Sequence, residues 1–451
     1  MRNHQMVVAD LEARWPEHRV APSLGRITAL MDLLGHPQRS APVVQITGTN
    51  GKGSTAIMID ALLTADGLRV GRFSSPHIQD LTERICVDGV PLSPQRFDEV
   101  FNEVMPLVGM VDEQAIDGVK CTFFEVITAM AYAAFADAPV DVAVMEVGMG
   151  GRWDATSVAD AAVAVLTPID LDHMQYLGDT IAEIAGEKCG IIKPASVAVS
   201  SAQTAQAEAV LRRRCLEVGA KLLKEPEDFG VLERRPAVDG QLLRMQTGDG
   251  PLADIFLPLH GAHMAHNAAL AVAACEALLG RALDPEVIQQ GFDTVVAPAR
   301  LQVVMVDPPV VVDTAHNPHG VKATLTGLTE AFAFDHLVCV LAMMRDKAVE
   351  QVVELLEPVV DTLVATQVSS TDRALPYGEL ADMASDVFGG SRVLAASTTS
   401  AALTLARQTA ASSGNGLVLV LGSVYLAGEV LDIVDARRQS SQWDDQPEMD
   451  E

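Results

Sequence analysis

One short stretch of the chain combines the residue types that hold a phosphate group. Residues 43–55 read VVQITGTNGKGST, an apolar run followed by glycines, a lysine and two hydroxyl residues. A glycine-rich turn between a strand and a helix directs backbone N–H groups at one place, and the helix start adds partial positive charge. Lys52 adds a full positive charge, and the hydroxyl of Ser54 or Thr55 suits Mg²⁺. The stretch therefore predicts a binding site for nucleotide phosphates.

The spacing of this loop differs from that of the common P-loop, in which four residues separate the first glycine from the Gly-Lys pair. Here only Thr49 and Asn50 separate Gly48 from Gly51-Lys52. The alternative interpretation is an ordinary glycine turn beside a surface lysine. The order of strand, glycines, lysine, hydroxyls and helix favours the phosphate site.

Other polar residues follow predicted strands. Short apolar runs precede Ser75, Glu146 and His173. Because ligands of parallel α/β sheets bind beyond the carboxyl ends of the strands, we expect these side chains to share a site with the glycine loop. A carboxylate there suits Mg²⁺, although a strand-end acid that faces water is the alternative for Glu146. A lone histidine such as His173 is more often a structural group than a ligand.

Two further candidates are ambiguous as bare patterns. Lys188 precedes Cys189-Gly190 and has the position of a helix C-terminal lysine before a glycine stop. Residues 313–318 read DTAHNP, in which Asp313 ends a predicted strand and Asn317-Pro318 can start a helix. His316 would then face the carboxyl edge of that sheet, but an ordinary loop cap explains the pattern equally well.

The elements that must position these residues alternate along the chain. Strands alternating with helices indicate βαβ units and mostly parallel sheets. Thr122 with Glu125 three residues later has the pattern of a capping box, which predicts a helix start. We expect an α/β fold with a P-loop-type, mostly parallel sheet domain at residues 1–297, which carries a β-rich stretch at 220–260. A smaller Rossmann-like α/β domain is expected at 298–437, with one active site between the domains. The acidic tail, residues 438–451, is expected to be disordered.

Composition narrows the class of protein. The chain has 451 residues and a net charge of −28, which argues against a nucleic-acid partner and requires a local positive site for ATP. No run of eighteen uncharged apolar residues occurs, so no membrane helix is expected, and the N-terminus does not read as a signal peptide. The six cysteines are scattered without a C-x-x-C pair, which indicates reduced thiols in a cytoplasm. We expect a cytoplasmic monomer that acts on small molecules and binds no membrane.

Together these pieces resemble the folylpolyglutamate synthase and dihydrofolate synthase family, within the Mur ligase superfamily. The glycine loop and the His-Asn-Pro signal belong to all Mur-type ligases, whereas the SSPH stretch at 74–77 and the GGRWDAT stretch at 150–156 are more particular to the folate branch. The matching stretches run in the family's order over nearly the whole chain and are TGTNGKGS (47–54), SSPH (74–77), ERI (83–85), EVGMGGRWDAT (146–156), LDH (171–173), EKCGI (187–191), HN (266–267), DTAHNP (313–318) and GSVY (422–425).

The resemblance implies an ATP-dependent carboxylate–amine ligase. ATP would phosphorylate the carboxylate of dihydropteroate or of a reduced folate, and the amino group of L-glutamate would displace phosphate from the acyl phosphate. Two Mg²⁺ ions and the charge of Lys52 would offset the repulsion between anionic oxygens. We expect a bifunctional enzyme in which closure of the second domain excludes water.

The family pattern also implies roles for single residues. Lys52, Lys188 and His316 would be catalytic, and Lys188 matches a family lysine that is carbamylated and faces a second Mg²⁺. Mg²⁺ would be bound by Ser75, Glu146 and His173. ATP would be bound by Asn50, Gly51, Lys52, Gly53, Ser54, Asn267, Arg300 and Asp313. The pterin-bearing substrate would lie near Leu24, Gly25, Arg26, Thr122, Phe123, Phe124, Glu125, Trp153, Asp154 and Ala155.

Two positions depart from the family pattern near the expected pterin site. Ser157 stands where the family usually has Asn, and Trp153 where it often has Leu, so they bear on substrate preference more than on ATP chemistry. One alternative is another Mur-type ligase that acts on a peptide or cell-wall precursor. Only 42 residues precede the strand of the glycine loop, which leaves little room for a nucleotide-sugar domain. The other alternative is a nucleotide-binding regulator without catalysis, against which the presence of Glu146, Lys188 and His316 argues.

Overall fold

The computed structural model describes residues 3–16 and 21–444, with side chains up to residue 438. The chain separates into two compact units. The first spans Met1–Pro258 and His263–Val296, and the second spans Leu259–Ala262 and Ala297–Glu451. Both units place helices around a mostly parallel sheet, which confirms the predicted α/β class.

The first unit is built on an eight-stranded sheet. Its strands are β1 (Val43–Thr47), β2 (Val70–Phe73), β3 (Ile85–Val87), β4 (Val90–Pro91), β5 (Val142–Glu146), β6 (Val163–Leu166), β7 (Val197–Ser200) and β8 (Lys221–Lys224). Their order is β4-β3-β2-β5-β1-β6-β7-β8. The neighbours in β2-β5-β1-β6-β7-β8 pair in parallel, whereas β3 and β4 form an antiparallel edge beside β2. Every residue of β1 is buried, because parallel neighbours flank the strand on both sides. The loop after β1 therefore lies at the middle of the carboxyl edge of the sheet.

The helices of the first unit cover this sheet. They are α1 (His4–Glu12), α2 (Gly25–Leu33), α3 (Lys52–Ala65), α4 (Pro94–Glu113), α5 (Phe123–Asp137), α6 (Met174–Leu177), α7 (Ile181–Lys188), α8 (Ala205–Val218), α9 (Ala262–Leu279) and α10 (Pro285–Asp293). The predicted cap at Thr122 is confirmed, since its side chain accepts from the backbone of Glu125 and the Glu125 carboxylate accepts from the backbone of Thr122. Phe97, Phe101 and Phe135 lie in one hydrophobic core of this unit. No helix in the described part of the chain is long and apolar enough to cross a membrane.

A separate antiparallel sheet follows in the first unit. It consists of β9 (Gly230–Ala237), β10 (Gly240–Thr247) and β11 (Gly250–Leu257), in the order β11-β10-β9. The β-rich character predicted for residues 220–260 is confirmed. The first strand within residues 220–260, β8, does not belong to this antiparallel sheet. It extends the eight-stranded sheet and pairs in parallel with β7.

The second unit has a six-stranded sheet. Its strands are β12 (Gln302–Val306), β13 (Pro309–Val312), β14 (His336–Leu341), β15 (Thr362–Ala365), β16 (Val393–Ala395) and β17 (Gly416–Leu421). The order is β12-β13-β17-β14-β15-β16, and every pair except β12 with β13 is parallel. Its helices are α11 (Pro318–Ala331), α12 (Val349–Leu356), α13 (Tyr377–Phe388), α14 (Thr399–Ser412) and α15 (Val424–Asp444). The antiparallel edge strand β12 was not predicted, because the first strand expected in this domain was the one that ends at Asp313.

Helix α15 differs from the prediction of a disordered tail that begins at residue 438. The helix continues to Asp444. Residues 436–439 are Ala-Arg-Arg-Gln, all good helix formers, whereas the prediction relied on the acidic residues near the end. The remainder of that tail, residues 445–451, lies outside the described residues.

Candidate active site

The glycine loop joins β1 to α3, as predicted. Gly51 precedes α3 with φ +89°, and α3 begins at Lys52. A Cβ at Gly48 would lie 1.8 Å from Oγ1 of Thr167, so only glycine fits there. Among the described residues no side chain caps α3, which leaves the N–H groups of its first turn available to phosphate oxygens.

Two lysines meet at this loop. Lys52 Nζ donates to the carbonyl oxygens of Gly48 and Thr49, each at 3.3 Å. Lys188, at the end of α7, donates from Nζ to the same Gly48 oxygen at 2.7 Å. Burial, and then the charge of Lys52, lower the pKa of Lys188 to about 7. Near neutral pH the buried amine is thus divided between its charged and neutral forms.

A carboxylate faces the start of α3. Glu146 ends β5, is buried, and accepts from the backbone N–H of Ser75 at 3.2 Å. A Cβ at Gly53 would lie 3.5 Å from Glu146 Oε2. The structure therefore brings Ser75, Glu146 and the phosphate loop together, although their segments are far apart in the sequence.

The donors at this place fit Mg²⁺ in part. Mg²⁺ prefers oxygen ligands, keeps several waters and needs only one or two carboxylates, so Glu146 with the adjacent Ser75 is a suitable pair. No cluster of three or more His, Cys, Asp or Glu side chains suited to a metal occurs in the described part of the chain. His173 has φ +52° at the start of α6, and its Nε2 lies 3.9 Å from a carboxylate oxygen of Asp172. Its place beside Glu146 stays a prediction.

Asn267, on α9, lies beside Gly51 of the phosphate loop. The residue is 4% exposed, and a Cβ at Gly51 would lie 2.8 Å from its Oδ1. Its carboxamide has no hydrogen-bond partner among the residues that the structure describes. Its amide oxygen can accept and its amide nitrogen can donate a hydrogen bond, so this carboxamide is available to a ligand at the loop.

The predicted site residues of the second unit form their own cluster. Asp313 follows β13, and its oxygens accept from the N–H groups of Leu301 (3.0 Å) and Ala315 (2.8 Å). Ala299 and Leu301 have φ +52° and +47°, so Arg300 lies between two left-handed residues that Asp313 helps to hold.

Arg300 and His316 are the half-buried candidates of this cluster. Arg300 is half-buried and makes no side-chain hydrogen bond or ion pair within the described ranges. His316 donates from Nδ1 to the carbonyl oxygen of Thr314 at 2.9 Å, which directs Nε2 away from that carbonyl. Asn317 caps α11 by accepting from Gly320, as predicted.

Two of the predicted substrate-binding side chains bind each other. Arg26 is 2% exposed, and its Nε donates to both carboxylate oxygens of Glu125 at 3.1 and 3.0 Å. Glu125 also accepts from the backbone of Thr122. Leu24 and Gly25 lie at the start of α2, beside this pair. The pair connects α2 to the start of α5, so it stabilises the arrangement of these two helices.

The Trp153–Ala155 stretch is held by hydrogen bonds to the protein's own backbone. Asp154 is 3% exposed and accepts from the N–H groups of Met149 (3.1 Å) and Thr156 (3.0 Å), and burial raises its pKa. Ser157 is buried; it accepts from Gln45 Nε2 at 2.8 Å and donates to the Gly151 carbonyl at 2.5 Å. Both side chains brace the glycine-rich loop that follows β5.

The aromatic side chains of the same region are less enclosed. Phe124 and Trp153 are half-buried, whereas Phe123 and Ala155 are buried. Phe124 lies against Gly148, where a Cβ would be 2.6 Å from its Cζ. These half-buried rings are available to a flat ligand.

Sequence reasoning missed the contacts of Arg84. This buried guanidinium lies 5.0 Å from the centroid of the Phe123 ring, and its Nε donates to Nδ1 of His77 at 2.9 Å. The contact links the ERI and SSPH stretches, to which we assigned no such role. No local pattern signals it, because the partners come from separate segments.

Two family models match the chain. The Mur ligase middle domain matches residues 96–275, and the Mur ligase glutamate ligase domain matches residues 299–424. The dihydrofolate synthase/folylpolyglutamate synthase of Mycobacterium tuberculosis (strain ATCC 25618 / H37Rv) is 49% identical over 398 residues, covering 85% of this chain and 82% of that protein.

Solved structures agree over nearly the whole chain. The Mycobacterium tuberculosis folylpolyglutamate synthase complexed with ADP superposes with a TM-score of 0.92 at 45% identity, covering 96% of this chain and 98% of that one. The Escherichia coli FolC protein in complex with DHPP and ADP superposes with a TM-score of 0.85 at 28% identity, covering 97% and 99%. These matches favour the folate branch over a cell-wall ligase or a non-catalytic regulator. The chain belongs to the folylpolyglutamate synthase/dihydrofolate synthase family of ligases, within the Mur ligase superfamily.

Proposed function

We propose that this chain joins L-glutamate to a folate or pteroate carboxylate with ATP as the co-substrate, and that it accepts both dihydropteroate and a reduced monoglutamyl folate. The observation that carries the proposal is the uncapped start of α3, with Lys52 in its first turn and the Glu146 carboxylate beside Gly53. The names of the relatives and the ligands of the solved structures, ADP and DHPP, support the same chemistry.

In the first step a substrate carboxylate oxygen attacks the γ-phosphorus of ATP, and ADP leaves. This step brings anionic oxygens together, so the main task of the protein is to position them and offset their repulsion. Backbone N–H groups at Gly51, Gly53 and Ser54 would bind phosphate oxygens, and Lys52 would add its charge. The Asn50 and Asn267 side chains would complete the ATP site. In the second step the amino group of L-glutamate attacks the acyl carbon, phosphate leaves, and one proton is released.

Ser75 and Glu146 are the residues that we propose for Mg²⁺, with His173 as a further candidate. When bound, Mg²⁺ would neutralise charge on the phosphate oxygens. The Ser75 N–H group holds the Glu146 carboxylate in place from the protein side.

We further propose that Lys188 forms a carbamate. A neutral amine is the form that attacks CO₂, and the pKa of about 7 supplies that form at neutral pH. The Nζ–carbon bond forms, one proton leaves, and the side chain becomes an anion able to face a second Mg²⁺. Before this reaction, Lys188 steadies the loop through the Gly48 carbonyl oxygen.

In the second unit we propose that Arg300 binds the nucleotide and that His316 takes part in the reaction. Asp313 would then act through the loop that it holds around Arg300, because its oxygens already accept hydrogen bonds from Leu301 and Ala315. For the pterin we propose the half-buried rings of Phe124 and Trp153 as the stacking surfaces.

The test is a phosphate-release assay with ATP, Mg²⁺ and L-glutamate, in which dihydropteroate is compared with a reduced monoglutamyl folate. Glutamate-dependent release with both supports the bifunctional enzyme, release with one limits the proposal to that substrate, and release with neither overturns the substrate class. Lys52→Ala and Glu146→Ala should each abolish release while the circular dichroism spectrum stays unchanged. Lys221→Ala, at an exposed lysine of β8, is the matched control and should remain active. Full activity of either site variant would contradict the proposed site.

A further inference from the structure

Glu225 and His266 form a hydrogen-bonded pair beside the phosphate loop that none of the roles above includes. Glu225 follows the edge strand β8, and its side chain is 4% exposed. Its Oε1 lies 2.5 Å from Nδ1 of His266, which lies in the second turn of α9, and its Oε2 accepts from the N–H of Ala202 at 3.4 Å. The side chain of His266 is 50% exposed. A buried carboxylate thus anchors an exposed imidazole, and with it the start of α9, to the sheet.

The residue after His266 in α9 is Asn267, whose carboxamide lies against Gly51 of the phosphate loop. Asn267 is 4% exposed as a residue, and its carboxamide has no hydrogen-bond partner among the described residues. Its position depends on where the start of α9 is held, since Asn267 makes no bond of its own that would fix it. The bond from His266 to Glu225 ties the residue next to Asn267 to the segment that follows β8.

The surroundings of the imidazole favour its charged form. The hydrogen bond to Glu225 raises the pKa of His266, against an opposing effect of burial. The charged groups that face it are Glu225, after β8, and Arg234, on β9, whose charge lowers the pKa; His263 lies one turn earlier in α9. A hydrogen bond between an imidazolium and a carboxylate is stronger than one between neutral groups. The anchor is therefore strongest while His266 is protonated.

We propose that the Glu225–His266 pair is a positioning pair for nucleotide binding: it fixes the start of α9 and so holds the Asn267 carboxamide against Gly51, in reach of the nucleotide. The inference rests on the proposed binding of ATP at the phosphate loop. It assigns no contact between His266 and the nucleotide, so the pair acts through Asn267.

The test is titration calorimetry of the full chain with AMPPCP and Mg²⁺ between pH 6 and 8.5. His266→Ala should weaken AMPPCP binding roughly five- to tenfold at pH 6, the scale of one charge-assisted hydrogen bond. His266→Gln keeps a donor but cannot be charged, and Glu225→Gln keeps the volume but removes the carboxylate. Both should bind more weakly than the wild type at pH 6 and approach it as the pH rises through the pKa of His266. Lys188 also titrates near pH 7, but it does so in every variant, so the ratio of each dissociation constant to that of the wild type isolates the pair.

The matched control is a second hydrogen-bonded imidazole–carboxylate pair of this unit, which lies away from the phosphate loop. His4 Nδ1 lies 2.7 Å from Oδ1 of Asp98, between α1 and α4, and His4→Gln should leave AMPPCP binding unchanged at every pH. A purely structural role for Glu225 and His266 predicts lower stability with wild-type dissociation constants and a flat ratio across pH, and that result would overturn the inference. Lys52→Ala separates this failure from that of the proposed function. If the wild type binds AMPPCP and Lys52→Ala does not, the nucleotide site stands whatever the His266 variants do.

Discussion

The buried amine of Lys188 should make the free energy of unfolding depend on pH. We replace Lys188 with methionine, which has a similar length and no charge. In buffers free of CO₂ the wild type carries an amine at this position, and the variant carries an apolar group. The two proteins should then differ in how their free energies of unfolding change with pH.

The magnitude follows from the two pKa values. The Lys188 pKa is about 7 in the folded chain and 10.5 for an unperturbed lysine, a difference of 3.5. At 1.36 kcal/mol for each pKa unit, the charged amine costs the folded state roughly 5 kcal/mol. Between pH 7 and 10.5 the unfolded chain binds more protons than the folded one, so stability rises with pH in that window. The cost is complete below pH 7 and absent above pH 10.5.

The assay is urea-induced unfolding of both proteins at several pH values from 7 to 9. Over these two pH units the wild type should gain about 2–3 kcal/mol relative to Lys188→Met. The lost hydrogen bond to the Gly48 carbonyl costs the variant about 1 kcal/mol at every pH, so it shifts the curve without changing its slope. Lys221→Met, at an exposed lysine of β8, is the control and should follow the wild type.

Parallel pH profiles for the wild type and Lys188→Met in CO₂-free buffer would refute the reasoning, because they would mean that burial does not hold the amine near neutrality. Adding bicarbonate tests the carbamate separately. A carbamate replaces the titrating amine with an anion, so bicarbonate should abolish the slope in the wild type and leave Lys188→Met unaffected.

Two further predictions concern the walls of the site. Glu125→Ala should destabilise the first unit by about 3–5 kcal/mol in urea unfolding, because the buried Arg26 loses its buried carboxylate partner and keeps only the exposed Asp117 at 3.6 Å; an unchanged unfolding midpoint would contradict the buried pair. Gly151→Ala should lower glutamate-dependent phosphate release at least about tenfold, because a Cβ would lie 2.7 Å from the Lys188 carbonyl oxygen in backbone that cannot easily shift. Gly186→Ala, in the same helix as Lys188 with open space around it, should retain activity and gain up to about 1 kcal/mol.

Local patterns predicted the parts of the site whose partners are close in sequence. The glycine loop and the start of α3 were recognisable because strand, glycines and lysine follow one another within a few residues. The capping box at Thr122 and Glu125 and the cap at Asn317 were predicted for the same reason, since each cap bonds a backbone group three residues ahead. The alternation of strands and helices likewise predicted both sheets, but not the edge strand β12.

Contacts between distant segments left no such signal. No local pattern indicated that Arg26 and Glu125 pair with each other in the core of the first unit, and their contact with substrate stays a prediction. Asp154 read as a substrate residue from the family pattern, although its carboxylate bonds the backbone of its own loop. A sequence shows which residues carry charge, but whether a charge faces a ligand or a protein group depends on packing between segments that no local pattern encodes.

The two lysines at Gly48 show how burial can divide roles between identical side chains. Lys52 and Lys188 donate to one carbonyl oxygen, at 3.3 and 2.7 Å, and two full charges held so close repel each other. Lys188 is 4% exposed whereas Lys52 is half-buried, so Lys188 is the one whose pKa falls. Lys52 is then left as the fixed cation for phosphate in a chain of net charge −28. The burial that makes the charged Lys188 amine costly for stability would also supply the neutral amine that the proposed carbamate requires, so the stability cost and the proposed reaction would have the same physical origin.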